Sequence, residues 1–451
     1  MIQVHSTLAR SVVPLDTRDE GKVAMYVCGP TVQSEPHVGH GRSAVAFDVI
    51  RRYLTWRGYD VTFVRNITDV EDKIIAAAEE SGIPADELAV TMAQRFADGF
   101  AGLGVLEPDV EPKATESIPQ IIEIIETLID RGLAYTRGGD VYFSVRALEG
   151  YGKLSGRKLD DLRSGYRIEV DEGKDDPLDF ALWKAMKPGE PWWESPWGPG
   201  RPGWHIECSA MAGEYLGNDF DIHGGGSDLI FPHHENEIAQ SEGASGQTFA
   251  RYWLHNGMVN LGGEKMAKST GLIVDLASII DAAGGRALRM LFVRAHYRSP
   301  IEYSSDLLDD AAEALDRLDR FRRRATARTP DVAALERFTE VMDDDFNTPE
   351  AVSLLFDLVR EGNRMLDGGG EVSGIAGAVD VIVDVLGIDD AVGPAVGDVQ
   401  MSDDEIDRLI GERAQARQEK RFDDADAIRD ALDEAGVNLE DGPNGTRWLR
   451  R

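Results

Sequence analysis

The sequence predicts an α/β protein: a parallel sheet with helices on its faces, then a helical region and a small terminal α+β module. Three observations carry this expectation. Strand-like, helix-like and again strand-like segments follow one another between residues 22 and 68. The strand texture returns at about 219–260, and from about 306 to 388 the pattern is helical and strongly charged, without strand alternation.

Val23–Cys28 is a short apolar run that stops at Gly29-Pro30, as a buried strand and turn would. After the loop Thr31–Gly39, the segment GRSAVAFDVIRRYLTWRG repeats Val45, Val49, Ile50, Tyr53 and Leu54 at helical spacing, with Gly58 as its stop. Val61–Thr68 is β-branched and strand-like. Strand, helix and strand at this spacing form a βαβ unit and hence a parallel sheet. Residues 111–203 read as an insertion carried on that sheet: a helix over Ile118–Arg131, a strand over Asp140–Val145, then the run PWWESPWGPGRPGW. The sheet domain resumes over 204–305, where FDIHGGG runs into a glycine turn and RYWLHNGMVNL is a further strand. A helical region fills 306–390, and the linker Asp389–Val399 leads to a module at 400–451. There, Ser402-Asp-Asp-Glu405 is a capping box that opens a helix to about Glu419. A second helix over Asp423–Ala435 stops at Gly436, and a turn beside a short strand pair ends the chain.

Composition narrows the function classes. A hydrophobic content of 42% spread over 451 residues excludes a disordered chain. No uncharged apolar run reaches membrane-spanning length, and the N-terminus lacks the pattern of a secretory signal. Two cysteines exclude a disulfide framework and suit a reducing cytoplasm. The 81 acidic and 48 basic residues give a net charge of −33, and eleven lysines stand against thirty-seven arginines. So acidic and lysine-poor a surface suits a salt-rich, halophilic cytoplasm. A polyanionic partner would be repelled in dilute buffer, but at molar salt the Debye length is only about 3 Å and the objection weakens.

Three constellations carry chemistry. Pro36-His37-Val38-Gly39-His40 lies between a strand and a helix, where N–H groups and the helix dipole attract phosphate; Gly39 allows close approach and two imidazoles can donate to phosphate oxygens. Gly262–Thr270 is a glycine-bounded loop with Lys265 and Lys268, two mobile cations able to follow charge onto a departing pyrophosphate. Pro232–Glu237 reads as the opening of a helix with proline in its first turn, which sets His233 and Glu237 at i and i+4. Together with Cys28 and Cys208 they would suit Zn²⁺. Each has a plainer reading: histidines incidental to a loop, a solvated loop, a helix-start pair and two core cysteines. All nine histidines precede residue 300, which favours one shared site.

PHVGH and KMAKS resemble the two nucleotide-binding motifs of class I aminoacyl-tRNA synthetases. MYVCGPTV, RNITDVEDKI, GRPGWHIECSAM, FDIHGGGSDLIFPHHENEIAQ and LEDGPNGTRW are similar to the cysteinyl-tRNA synthetases in particular, from about residue 20 onward. The resemblance implies a Rossmann-like catalytic domain with a connective insertion, a helical bundle and a C-terminal anticodon-recognition domain. It also implies one Zn²⁺ held by Cys28, Cys208, His233 and Glu237, with the substrate thiolate as a further ligand. Two departures are visible: Val38 stands where isoleucine is commoner, and Ala267 where serine is usual, which removes a hydroxyl but leaves both lysines.

The expected reaction has two steps. L-Cysteine attacks the α-phosphate of ATP, carried with Mg²⁺, and the adenylate then passes its acyl group to tRNA(Cys). His37 and His40 would stabilise the reacting phosphorus, Lys265 and Lys268 the pyrophosphate, and Gly29, Thr68 and Trp204 would position the amino acid. Serine differs from cysteine by one atom, and shape alone discriminates so small a change by only about 1–3 kcal/mol. A metal that prefers sulfur supplies the rest, and no editing domain is expected. Arg413, Arg417, Arg421 and Trp448 are candidates for tRNA contact, and a monomer is expected rather than a dimer. Alternatives are a mycothiol cysteine ligase, which lacks the anticodon module, a zinc hydrolase, and a catalytically dead paralogue.

Overall fold

The computed structural model describes residues 1–159, 173–261, 264–265, 274–325, 327–389, 403–418, 421, 425, 428–429, 432, 437–442 and 445–450. Two compact units divide at 394/395.

The first unit opens with the antiparallel hairpin β1 (Gln3–Ser6) and β2 (Ser11–Pro14). Next come β3 (Lys22–Val27), α1 (Val38–Trp56) and β4 (Asp60–Arg65), the expected βαβ unit, with β3 and β4 parallel. Helices α2 (Asp72–Ser81) and α3 (Ala85–Gly102) follow. α4 (Ile118–Asp130) buries Ile118, Ile121, Ile125 and Leu128 along one stripe. Each such side chain is worth about 1.5–3 kcal/mol when fully buried. The stripe packs in one core with an antiparallel sheet of β5 (Ala134–Arg137), β6 (Asp140–Phe143), β7 (Phe180–Ala185) and β8 (Gly200–Pro202).

Helix α5 (Trp204–Leu216), strand β9 (Phe220–Gly226), helix α6 (Glu235–Ser245) and strand β10 (Ala250–Asn256) return the chain to the first sheet. That sheet has the order β10-β9-β3-β4 and is parallel throughout. The chain therefore leaves β3 toward opposite sides, and the crevice at such a switch point, beyond the carboxyl ends of the strands, is where ligands bind.

The strand expected over RYWLHNGMVNL is two. β10 ends at Asn256, and β11 (Val259–Leu261) joins a different sheet, antiparallel to β12 (Glu264–Lys265). Gly257 makes the break: a Cβ there would stand 2.3 Å from the backbone of Ser299, so the chain turns where nothing but glycine fits. The regular helix α6 likewise begins at Glu235 and not at Pro232. Ile230–His234 forms a wider turn interrupted by the extended Phe231.

Helices α7 (Leu276–Ala283) and α8 (Gly285–Val293) and strand β13 (Ile301–Tyr303), parallel to β11, lead into the helical region. It comprises α9 (Ser305–Arg324), α10 (Val332–Asp343), α11 (Thr348–Asp367) and α12 (Ser373–Leu386). Their apolar faces share one continuous core with α1 and α8.

In the second unit, α13 (Asp403–Gln418) precedes an antiparallel pair, β14 (Val437–Gly442) and β15 (Gly445–Arg450). Ile406 and Leu432 form its buried core. Most of the linker, Ser402 of the capping box and most of the second helix lie outside the described residues. Among those described, no helix is long and apolar enough to cross a membrane.

Candidate active site

Cys28 follows the last residue of β3, and its N–H continues the ladder to the Gly224 carbonyl of β9 (3.1 Å). Cys208 sits one turn into α5, while His233 and Glu237 flank the start of α6. These four expected residues converge: their donor atoms all lie within 4.8 Å of one another. Cys28 Sγ is 3.6 Å from Cys208 Sγ and 3.3 Å from Glu237 Oε1, and His233 Nε2 is 3.2 Å from the same oxygen. Metal bonds of about 2.0–2.3 Å at tetrahedral angles space ligand atoms roughly 3.3–3.8 Å apart, so the set fits Zn²⁺ in both spacing and donor type.

The protonation states suit the same role. Burial and the adjacent Cys208 push the Cys28 thiol well above its usual range. Contact with Cys28 pulls Cys208 down, but burial and Glu237 outweigh it and the net shift is upward. Burial, with His205, His223 and Lys73 nearby, holds His233 well below the ordinary histidine value, so its imidazole is neutral and able to ligate. A dry pocket holding two thiols and a carboxylate is costly without a cation and favourable with one.

A second layer surrounds the four. His223 Nε2 lies 2.8 Å from Glu237 Oε2, and His205 Nδ1 lies 2.9 Å from His233 Nδ1, contacts that would orient both ligands. His234 Nδ1 meets His255 Nε2 at 2.8 Å, and His255 Nδ1 meets Thr7 Oγ1 at 2.7 Å. Five of the nine histidines therefore form one buried cluster. Cys28, His223, His234 and Glu237 also converge within 4.8 Å, but that set has one sulfur in place of two, and His223 is already engaged by Glu237. The roles of His205, His223 and His255 were not legible in the sequence, because their partners come from distant segments.

Around the cluster stand the residues expected to hold an amino acid. The Gly29 N–H donates to Asn66 Oδ1 (2.8 Å), and Asn66 Nδ2 donates to Thr68 Oγ1 (3.3 Å). Asn66, not anticipated, thus couples the two. The Trp204 ring lies 4.4 Å from that of His233, with Lys73 Nζ 5.0 Å above it. Asp72, beside Lys73, pairs with Lys184 of β7 and Arg201 of β8, joining α2 to the antiparallel sheet that leads into Trp204. Burial opposes ionisation of Asp72, but these two cations hold its carboxyl at about 2.

His37 is the N-cap of α1. Its Nδ1 accepts the Gly39 N–H (3.1 Å), and the His37 N–H donates to His40 Nδ1 (3.1 Å). The two rings stack at 3.7 Å. Because each Nδ1 accepts, a neutral ring carries its proton on Nε2, as a donor suited to phosphate. The first motif is tied by backbone to the segment that follows the second: the Val38 N–H donates to the Val274 carbonyl (3.1 Å) and the Leu276 N–H to the Pro36 carbonyl (3.0 Å). Lys265 is placed by its backbone in β12, opposite Asn260, while Ala267 and Lys268 lie outside the described residues.

Of the residues expected to meet RNA, Arg417 and Arg421 are exposed. Arg413 is not, at 5% exposure, because it falls seven residues after Ile406 on the inward face of α13. Trp448 is placed by its backbone in β15, opposite Leu439.

Residues 14–313 match the profile described as the tRNA synthetases class I (C) catalytic domain, 337–388 the DALR domain, and 402–448 the cysteinyl-tRNA ligase anticodon binding domain. A cysteine–tRNA ligase of Methylobacillus flagellatus is 50% identical, and one of Brevibacillus brevis 46%, each with 100% of both chains covered. One of Halorhodospira halophila is 49% identical at the same coverage. Among solved structures, Mycobacterium tuberculosis methionyl-tRNA synthetase with methionyl-adenylate superposes with a TM-score of 0.59 at 17% identity, over 81% of this chain and 90% of that one. An Agrobacterium radiobacter LeuRS–tRNA–LeuAMS complex gives 0.60 at 11% identity, over 83% and 84%. At these identities the likeness is one of fold.

Proposed function

The chain belongs to the cysteine–tRNA ligase family of class I tRNA synthetases, and we propose that it links L-cysteine to tRNA(Cys) through a cysteinyl-adenylate at the site around Cys28, Cys208, His233 and Glu237. The convergence of those four donors at the carboxyl ends of β3 and its neighbours carries the reading. Zn²⁺ held there would supply a soft Lewis acid that favours a thiolate over an alcohol, and so discriminates cysteine from serine.

Gly29, Thr68 and Trp204 hold the amino acid so that its carboxylate faces the α-phosphate of ATP, bound with Mg²⁺. The carboxylate is already ionised, so activation needs no general base. Gly39 permits close approach of the triphosphate to the start of α1. His37 and His40 donate from Nε2 to the phosphate oxygens as charge builds, and the N–H groups at the helix start add to that field. Lys265 and Lys268 follow the pyrophosphate as it leaves. The backbone pairing of 36–38 with 274–276 anchors the chain just after the lysine loop beside the histidines. Alanine at 267 leaves both cations in place, so it slows the reaction slightly or not at all.

The C-terminal unit reads the anticodon, with Arg417, Arg421 and Trp448 as contacts; the match at 402–448 also separates this reading from a mycothiol cysteine ligase. Two free thiols that serve as ligands suit a reducing cytoplasm, and the acidic, arginine-rich surface suits high salt. The test is cysteine-dependent ATP–pyrophosphate exchange in the parent enzyme and in Cys28→Ser. Loss of exchange and of bound zinc in a folded variant is expected; full exchange in Cys28→Ser would overturn the reading.

A further inference from the structure

Glu207 has no exposed surface, and among the described residues neither of its carboxylate oxygens has a hydrogen-bond partner of normal length and angle. So buried a carboxylate costs several kcal/mol unless a partner arrives. Its surroundings supply no free counter-charge: Asp69 and Glu71 are fellow acids, and Lys184 is engaged by Asp72. Thr68 stands beside it.

Its position explains what the partner would be. On α5, Trp204, Glu207 and Cys208 fall at i, i+3 and i+4 and share one face. That face meets Asn66, whose carboxamide oxygen lies 3.8 Å from Cys208 Sγ and whose amide donates to Thr68. A buried carboxylate with Thr68 as its neutral polar contact and no cation of its own therefore stands close to Cys208 and to the hydroxyl expected to touch substrate. In an α-amino acid with a β-thiol, sulfur and ammonium hang on adjacent carbons. A site that captures the sulfur at Cys208 must accept the ammonium close by, and Glu207 is the next residue along the chain.

We propose that Glu207 is the counter-charge for the α-ammonium group of the bound amino acid, with Thr68 as its neighbouring polar contact; this rests on the cysteine site described above. The role is one of binding and orientation. It sets the carboxylate of the substrate toward ATP, and it does not distinguish thiol from hydroxyl.

Two thiol fragments separate the possibilities: cysteamine, which keeps the ammonium and lacks the carboxylate, and 3-mercaptopropionate, which keeps the carboxylate and lacks the ammonium. Binding of each to the zinc-loaded enzyme is measured by calorimetry, alongside KM for cysteine in pyrophosphate exchange. Glu207→Gln should weaken cysteamine and raise KM for cysteine by about tenfold to a hundredfold, as loss of a hydrogen bond to a charged group does. Binding of 3-mercaptopropionate, zinc content and KM for ATP should stay within twofold. Glu207→Asp, which keeps the charge, should recover part of the cysteamine affinity. Equal weakening of both fragments would make Glu207 a brace for the pocket and overturn the proposal, as would an unchanged KM for cysteine. A parent enzyme with no cysteine-dependent exchange would instead sink the broader assignment.

Discussion

The Sγ atoms of Cys28 and Cys208 lie 3.6 Å apart although 180 positions separate them in the chain. Both are free thiols, and the gap is far longer than the roughly 2.05 Å of a disulfide. It matches two ligands of a single ion. Cys208→Ser should therefore lower zinc affinity by more than about tenfold, since even residues behind the ligands contribute that much. Elemental analysis after dialysis against a chelator checks this, and one retained zinc per chain would count against it.

Gly29 carries a second constraint. A Cβ there would stand 1.6 Å from the Asn66 carbonyl oxygen, a clash that cannot be relieved without moving the strand end. Gly29→Ala should cost about 1–3 kcal/mol of stability. It should also raise KM for cysteine more than KM for ATP, because Asn66 links Gly29 to Thr68. Urea unfolding and substrate-saturation curves read the two effects separately.

A buried ion pair, Asp48 with Arg289, joins α1 to α8 beside the helical region. The guanidinium also donates to the carbonyls of Leu386, Leu103 and Gly104. Arg289→Leu leaves the buried carboxylate with Arg52 and the Leu106 N–H and takes the guanidinium from the Leu386 and Leu103 carbonyls, while the Gly104 carbonyl keeps Arg52. The expected loss is about 3–5 kcal/mol in urea unfolding. Adding Asp48→Asn should recover part of it, since the two substitutions act on one contact.

Acid should unfold the protein partly through its histidines. Burial, with His223 and His5 nearby, lowers His255 to about 3 from an ordinary 6.5. The unfolded chain therefore takes up this proton first. The stability that the neutral imidazole contributes is complete above about pH 6.5 and is lost as pH falls toward 3, at up to about 1.4 kcal/mol per pH unit. His255→Gln should flatten the pH dependence of the melting temperature in that window and leave it unaltered above pH 7.

The βαβ unit, α4 and α1 were legible because hydrophobic period and glycine stops are local signals. Cys28, Cys208, His233 and Glu237 were legible as donor types, and PHVGH as a helix start. What escaped depends on contacts between distant segments. Asn66 and Glu207 look like ordinary polar residues until β4 and α5 are brought together. Arg413 looked like surface charge because the count of basic residues ignored its seven-residue spacing from Ile406. The break at Gly257 is set by Ser299, forty-two positions away.

The selection of sulfur by a metal at these four residues is tested most directly by replacing the ion with Co²⁺ and titrating with cysteine and then with serine. Cysteine should raise the near-ultraviolet thiolate-to-cobalt absorption as one more sulfur enters, while serine leaves the spectrum unaltered. A spectrum indifferent to cysteine, or one that serine changes equally, would contradict the account.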